Sequence, residues 1–439
     1  MNAATPAAGV FSAHRSYREA NARQRVAALF DAASVQELLP PGERVVSPHL
    51  ALFDTVGAFD DGVMIARARL GGQPVLLAAQ EGGFMGGAVG EVHGAKLAGL
   101  LQRALHEPVA AVLLLLDSGG VRLHEANAGL LAVSEVMRAL LQVRAHGVPV
   151  LVLIGGANGA FGGSGIVARC ANSIIMSEEG RLAMSGPEVI ESAHGVEEFD
   201  ARDRALVWAT TGGKHRYLLG DCQRLVPDDI DAFRQAALAE MQALQGQSAQ
   251  QIGVNPDQLG REHAGLTRRL QQFGACHVPE QIWQKMGLAD TASLPLLDAP
   301  QFVAQVAAKR LVLDDGDEDG AWPSGPLPQE TTDTDAVQPG DWRALAQALF
   351  AGHFAITREG AVLHGSAQLD GRTLAVIGTC EHSPIGVEIA LRQAQLVLDV
   401  LRQHPQRPIL LLVDTSGQRL RHRDEMLGIN SYMAHLGKC

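Results

Sequence analysis

Val112-Leu113-Leu114-Leu115-Leu116-Asp117-Ser118-Gly119-Gly120-Val121-Arg122 opens the stretch on which the fold turns. It continues through a helical pattern into Val148 to Ile154 and then Gly155-Gly156-Ala157-Asn158-Gly159-Ala160-Phe161-Gly162-Gly163-Ser164-Gly165. Each apolar run is short, uninterrupted by polar residues and bounded by glycine, the pattern of a strand buried on both faces of a parallel sheet. Each glycine cluster lies where a strand hands over to a helix. Small residues there leave backbone N–H groups bare, and the helix N-terminus adds a positive dipole. Two such N–H groups converging on one carbonyl oxygen make an oxyanion hole.

Working outward, Gly62 to Ala68 and Pro74 to Ala79 flank Leu70-Gly71-Gly72-Gln73, a hairpin signal. A glycine loop (82–87) and a predicted helix from about Gly90 to Leu105 follow, the helix carrying Glu91, His93 and Lys96. Before the hairpin, Ser16 to Leu39 reads as one helix with a stripe of Val26, Leu29, Phe30 and Val35. After the second glycine cluster, Ile174–Met176 and Leu182–Met184 read as short strands, the latter leading into Gly186-Pro187-Glu188-Val189-Ile190-Glu191. Strand–helix alternation of this kind predicts an α/β domain with helix-covered strands. Helices are expected over 228–246, 257–273 and 298–310. The basic segment Gly212-Gly213-Lys214-His215-Arg216-Tyr217 reads as a solvated turn in preference to a phosphate loop.

Bulk properties narrow the function. The 439 residues call for more than one domain, and 46% hydrophobic but only 4% aromatic residues imply aliphatic cores. A net charge of −12 argues against nucleic acid or an anionic membrane as partner. Five scattered cysteines without a C-x-x-C pair speak against structural zinc and a disulfide framework. With no signal peptide at Met1–Val10 and no apolar run near the roughly 18 residues of a membrane span, a soluble, cytoplasmic protein is expected.

Asp314 to Asp341 is acidic and rich in Pro and Thr, so 313–341 is expected to be a disordered linker. It divides a unit at 16–312, preceded by a flexible 1–15, from a second unit at 342–439. The second unit repeats the first: Asp117 and Asp414 are each followed five positions later by Arg and six later by Leu, as Arg122-Leu123 and Arg419-Leu420. Ile385-Gly386-Val387-Glu388 likewise echoes Val89-Gly90-Glu91. The second copy stops at Cys439, before a second strand and glycine cluster, and so reads as incomplete.

These residues carry a resemblance. Ala22 to Asp31, with Ser34 and Glu37-Leu38, resembles the opening helix of acyl-CoA carboxyltransferases. Ser118-Gly119-Gly120-Val121-Arg122-Leu123-His124-Glu125 resembles their "SGGAR-x-x-E" turn. Phe161-Gly162-Gly163-Ser164 resembles their second glycine element and Ser185 to Glu191 their "GPxVIE" segment. The fold implied is crotonase-like (ClpP/crotonase), a ββα spiral followed by an incomplete second copy. Within that superfamily, Met85 to Gly94 and the length of the first unit look like the beta subunit of the biotin-independent malonate decarboxylases over 16–311. Residues 342–439 look like the N-terminal part of their gamma subunit.

The resemblance implies decarboxylation of malonyl-S-acyl carrier protein to the acetyl thioester and CO2, through an enolate held by backbone donors. Gly119, Gly120, Gly162 and Gly163 match the donor positions. Glu91 and His93 are the candidates for proton delivery, and Arg122, Ser164 and Lys96 for substrate binding. Arg122 is also read as structural because the repeat has it too, and Ser164 as a helix cap. No metal is expected, His124-Glu125 lacking a third ligand. No tightly bound cofactor and no biotin are implied, the acyl group riding on the CoA-like prosthetic group of an acyl carrier protein. Implied partners are that carrier, the acetyl-CoA/malonate transferase alpha subunit and the other decarboxylase subunits in an oligomer. Two alternatives stand beside this: a biotin-dependent carboxyltransferase component, and a non-catalytic crotonase-like scaffold. A Ser/Cys hydrolase is disfavoured, there being no G-x-S-x-G elbow.

Overall fold

A computed structural model describes residues 15–43, 45–313 and 341–439. The expected flexible N-terminus (1–14) and all but the ends of the expected linker lie outside these.

Strand sequence dictates the first sheet. β1 (Gln36–Glu37), β2 (Val63–Leu70), β3 (Gln73–Gln80), β4 (Ala111–Leu116), β5 (Val150–Ile154), β6 (Ser173–Ser177) and β7 (Arg224–Val226) lie side by side in chain order. β2 and β3 form the hairpin across Gly71-Gly72, and every later pairing is parallel. Alternation along β4 explains why no polar residue interrupts it. Val112, Leu114 and Leu116 enter one core, while Ala111, Leu113 and Leu115 enter the core on the opposite face. Each such buried aliphatic side chain contributes about 1.5–3 kcal/mol.

The helices Ala22–Leu29 and Ile230–Leu244 cover the second face. The first helix is much shorter than the 16–39 stretch predicted. Asn21 caps it with a capping box to Gln24. It ends because Asp31 binds the N–H groups of Gly71 and Gly72 (3.1 and 2.7 Å) and Arg234 (2.6 Å), drawing the chain out to pair as β1. Leu182–Met184 is a second departure. It is no strand of the sheet but a strip held against Ala160–Gly162 by Ala160 N–H to Arg181 O, Ala183 N–H to Ala160 O and Gly162 N–H to Met184 O (2.8, 3.1 and 2.9 Å). Gly212–Tyr217 is no solvated turn either, since Gly213–Leu218 is a helix with Arg216 fully buried.

Past residue 341 the topology repeats. β8 (Phe354–Glu359), β9 (Val362–Leu369), β10 (Arg372–Thr379) and β11 (Ile409–Leu412) form a four-stranded sheet, with β9 and β10 as the hairpin and β11 parallel to β10. The two copies agree in local detail. The helices Glu91–Arg103 and Val387–Gln403 both start after a glycine, Gly90 and Gly386, packed on Arg122 and Arg419 respectively. Ser118 and Thr415 each accept a hydrogen bond from the N–H two residues on, Gly120 and Gly417.

The copies are not independent bodies. Val387, Ala390, Leu391, Met426, Leu427, Ile429, Tyr432 and Ala434 belong to the same apolar core as Leu114, Val152, Leu266 and Leu270. Tyr432 is fully buried and donates its hydroxyl to Leu266 O at 3.1 Å. Because that core is shared, Tyr432→Ala should cost about 3–5 kcal/mol. Thermal unfolding followed by calorimetry should show one transition moved down, not a separate early transition of the second sheet.

Candidate functional site at the paired glycine bends

The ends of β4 and β5 bring the two glycine bends into contact. Phe161 N–H donates to Ser118 O (3.0 Å) and Ser118 N–H to Gly159 O (2.7 Å). A methyl placed on Gly162 would lie 3.5 Å from the Cα of Gly120. Of the four predicted donors, two are spent: Gly119 N–H bonds Gly86 O at 2.8 Å, and Gly162 N–H bonds Met184 O at 2.9 Å. Gly120 N–H reaches only the hydroxyl of Ser118, at 3.2 Å. Gly163 is the first residue of the helix Gly163–Arg169, so its N–H has no intrahelical acceptor. Among the described residues none is found outside the helix either.

What holds the bends is Asp117. Its fully enclosed carboxylate takes Arg25 Nη1 at 2.9 Å on one oxygen and Asn158 N–H at 2.8 Å on the other. Its own N–H donates to Gln80 Oε1 at 3.0 Å. Gly82 and Gly156 must be glycine because any side chain would run into that carboxylate. Ser164 does not cap its helix; its hydroxyl donates to Ser118 Oγ at 3.0 Å and ties bend to bend.

The other sequence candidates separate. His93 is fully buried against Gln80, whose Oε1 is committed to Asp117 N–H. The Gln80 amide therefore donates to His93 Nε2 (3.1 Å), which places the imidazole proton on Nδ1, an atom without a partner among the described residues. Burial, with the nearby Arg122 and Lys96 charges, pushes His93 down to about 3, so it stays neutral. Glu91 lies at the surface with His49 (2.9 Å) and does not share a relay with His93. Lys96 is buried and donates to the carbonyls of Asp60 (2.7 Å) and Val63, so it is not presented to a ligand. Burial pushes its ammonium down. Arg122, also buried, grips both oxygens of Asp61 (3.0 and 3.1 Å) and Glu125 Oε1 (2.8 Å), the structural role its repetition suggested. Lys214 donates to Pro295 O and Leu297 O.

The sequence reading missed Gln80 and the load on Asp117. The repeat held a signal for Asp117 alone. Asp414 occupies the place of Asp117, and its N–H donates to Thr379 Oγ1 at the end of the equivalent strand.

Known proteins resemble both parts of the chain. A model of the carboxyl transferase domain matches residues 14–239, and one of the malonate decarboxylase gamma subunit matches 380–439. A malonyl-S-ACP:biotin-protein carboxyltransferase of Malonomonas rubra is 44% identical over 242 residues, spanning 52% of this chain and 76% of its own length. The acetyl-coenzyme A carboxylase carboxyl transferase subunit beta of Fusobacterium nucleatum is 31% identical over 137 residues, 30% of this chain and 43% of its own. A chain of the Pseudomonas malonate decarboxylase hetero-tetramer, solved with malonate, superposes with a TM-score of 0.52 at 38% identity, covering 66% of this chain and 96% of its own.

Two predictions follow from the buried groups. Asp117→Ala strands Arg25 inside the protein and should cost about 3–5 kcal/mol in denaturant unfolding. His93 is a base whose folded value, about 3, lies below its ordinary 6.5. Between those values the unfolded chain binds the extra proton, so stability should fall as pH drops through 6 toward 3. His93→Gln should flatten that slope without changing it above pH 7.

Proposed function

This chain belongs to the carboxyl transferase family, and from that premise we propose that it releases CO2 from malonyl-S-acyl carrier protein, leaving the acetyl thioester, as part of a malonate decarboxylase complex. The observation that carries the reading is the contact of two glycine bends with one N–H, Gly163, unspent at a helix start and another, Gly120, only loosely held. Breaking the bond between the carboxylate and the α-carbon sends an electron pair onto the thioester carbonyl oxygen, CO2 departs, and the enolate takes a proton at carbon. Donors fixed in advance where that oxyanion forms lower the barrier, each by about 2.7–4 kcal/mol. In our assignment Gly120 and Gly163 supply the donors. Gly119 and Gly162 hold the bends in shape by spending their N–H groups on Gly86 and Met184.

Glu91 and His93 act differently from a proton relay in this reading. His93 fixes Gln80, Gln80 fixes Asp117, and Asp117 fixes both bends. Arg122 and Lys96 hold the turn at Asp60–Val63, at the start of β2. The acyl group comes on the prosthetic arm of a carrier protein, with the transferase alpha subunit charging it. The gamma-type segment after residue 380 belongs to the same complex. The complex works in the cytoplasm, and no helix among the described residues is long and apolar enough to cross a membrane.

One observation favours a second reading. The Malonomonas relative's name describes transfer of the carboxyl group to a biotin protein rather than its loss as CO2. Both routes share the enolate. Release of CO2 from malonyl carrier protein that persists in the presence of avidin identifies the biotin-independent route; inhibition identifies transfer. No turnover of the thioester by either route leaves a binding scaffold.

A methyl on Gly163 would press against Val133 Cγ1 at 2.7 Å and push the helix start away. Gly163→Ala should therefore lower kcat about 100-fold, the cost of one displaced donor. Adding Val133→Ala makes room for the methyl and should restore most of the rate, as steady-state CO2 release will show.

A further inference from the structure

The bend that carries Gly163 is held from behind by the second half of the chain. Glu425, fully buried in the short helix His422–Met426, accepts Met184 N–H on Oε2 at 3.0 Å and Ser185 N–H on Oε1 at 2.6 Å. Met184 returns its own carbonyl to Gly162 N–H at 2.9 Å, and Gly162 caps the helix whose first N–H is Gly163. An unbroken path of two hydrogen bonds thus runs from a carboxylate past residue 420 to the glycine bend, with the Ser185 bond steadying its start. We propose that Glu425 is a positioning residue for decarboxylation, aiming the Gly163 donor through Met184, so that the second half controls the first half's oxyanion site. This rests on the decarboxylase reading above.

Chemistry explains why a carboxylate stands there. Two adjacent N–H groups pointing the same way need two acceptor oxygens on one plane, which an ionised carboxylate supplies and an amide does not. The charge lies inside the protein, facing Arg216, which donates to Glu425 O at 2.7 Å, with Arg269 and Asp221 behind it. His215 faces the next carbonyl, Met426 O, at 2.8 Å, and His422, Arg423 and Asp424 are its neighbours in the helix. Burial pushes the Glu425 carboxyl up to about 7, against the pull of the two N–H groups and of Arg216. His215 and His422 are both pushed down by burial and Asp221 is held at about 2 by its arginines, while burial pushes the neighbouring Asp424 up as well; of these groups it is Glu425 whose carboxylate holds the N–H groups that lead to the bend. Below pH 7 it gains a proton and loses one acceptor, and the aim of the donor should loosen.

The experiment compares Glu425→Gln and Glu425→Asp with Glu198→Gln in the full chain. Glu198 spans the same seam, to His422 N–H and Arg421, without reaching the bend. The probe is malonyl-CoA, with CO2 release followed from pH 5.5 to 8.5 and thermal unfolding measured alongside. Expected is a fall in kcat of about tenfold or more for Glu425→Gln, a fraction of what loss of a whole donor costs. KM should change less than about twofold, and the acid limb near pH 7 should vanish. Glu425→Asp should slow turnover too but keep an acid limb, and Glu198→Gln should match the parent. An unchanged kcat, an unchanged acid limb, or equal losses in Glu198→Gln would overturn the proposal. If the parent chain releases no CO2 from malonyl-CoA or from malonyl carrier protein, the decarboxylase reading fails by itself. Amide hydrogen exchange across 160–164 then decides the coupling: faster exchange in Glu425→Gln supports it and unchanged protection removes it.

Discussion

One buried carboxylate organises the end of the first sheet where the two glycine bends meet. Asp117 ends β4, and at that point the chain must leave a regular ladder and turn beside the neighbouring strand's own turn. Backbone groups in such bends have lost their sheet partners, and an unpaired one inside the protein costs several kcal/mol. Asp117 supplies acceptors to Asn158 N–H in one bend and to Arg25 beneath both. Gln80 satisfies the Asp117 N–H, and a neutral His93 holds Gln80. A buried ion pair of this kind is weak evidence for stability in itself. Its value lies in geometry: it leaves the bends a single arrangement, in which Gly119 and Gly162 spend their N–H groups on backbone carbonyls, Gly120 N–H meets the Ser118 hydroxyl, and Gly163 N–H is the donor left at the helix start among the described residues.

The second half uses the same local devices. A buried arginine lies under a glycine helix start in both copies, paired with Asp61 and Glu125 in one and with Glu388 and Asp424 in the other. The seam between the halves is polar as well as apolar. Arg169, Arg216 and Arg269 surround Asp221 and donate to Ser431 Oγ, Glu425 O and Leu427 O. Three guanidinium groups inside a protein are tolerated because the carbonyls of one short helix and one carboxylate are turned toward them. That commitment, with the shared aliphatic core, makes the second half part of what supports the first half's site.

Much of this was legible before any coordinates. β4, β5 and the β2–β3 hairpin are uninterrupted apolar or alternating runs bounded by glycine, and local pattern suffices for such segments. The repeat foretold the structural duty of Arg122. The 16–39 stretch misled because its apolar stripe continues past Leu29, while the break comes from Asp31 meeting Gly71 and Gly72, some forty residues away. Leu182–Met184 misled because β-propensity does not say whether a segment joins the ladder or props a bend. Glu91 and His93 shared a helix and so looked like one proton-delivery pair, with Lys96 on the same helix assigned to the substrate; the helix turns them to three different environments.

The amino-acid sequence alone determined the fold class, the two-copy plan and the pair of glycine bends, because periodicity, turn chemistry and missing side chains act over a few neighbouring residues. Only the tertiary structure decided which of the glycine N–H groups are spent on backbone carbonyls. An amide is free or spent according to the carbonyl that packing brings to it: Gly86 for Gly119, and Met184, itself held by Glu425, for Gly162. Those partners lie from about twenty to more than two hundred residues away in the chain, and no local pattern encodes a distance in space.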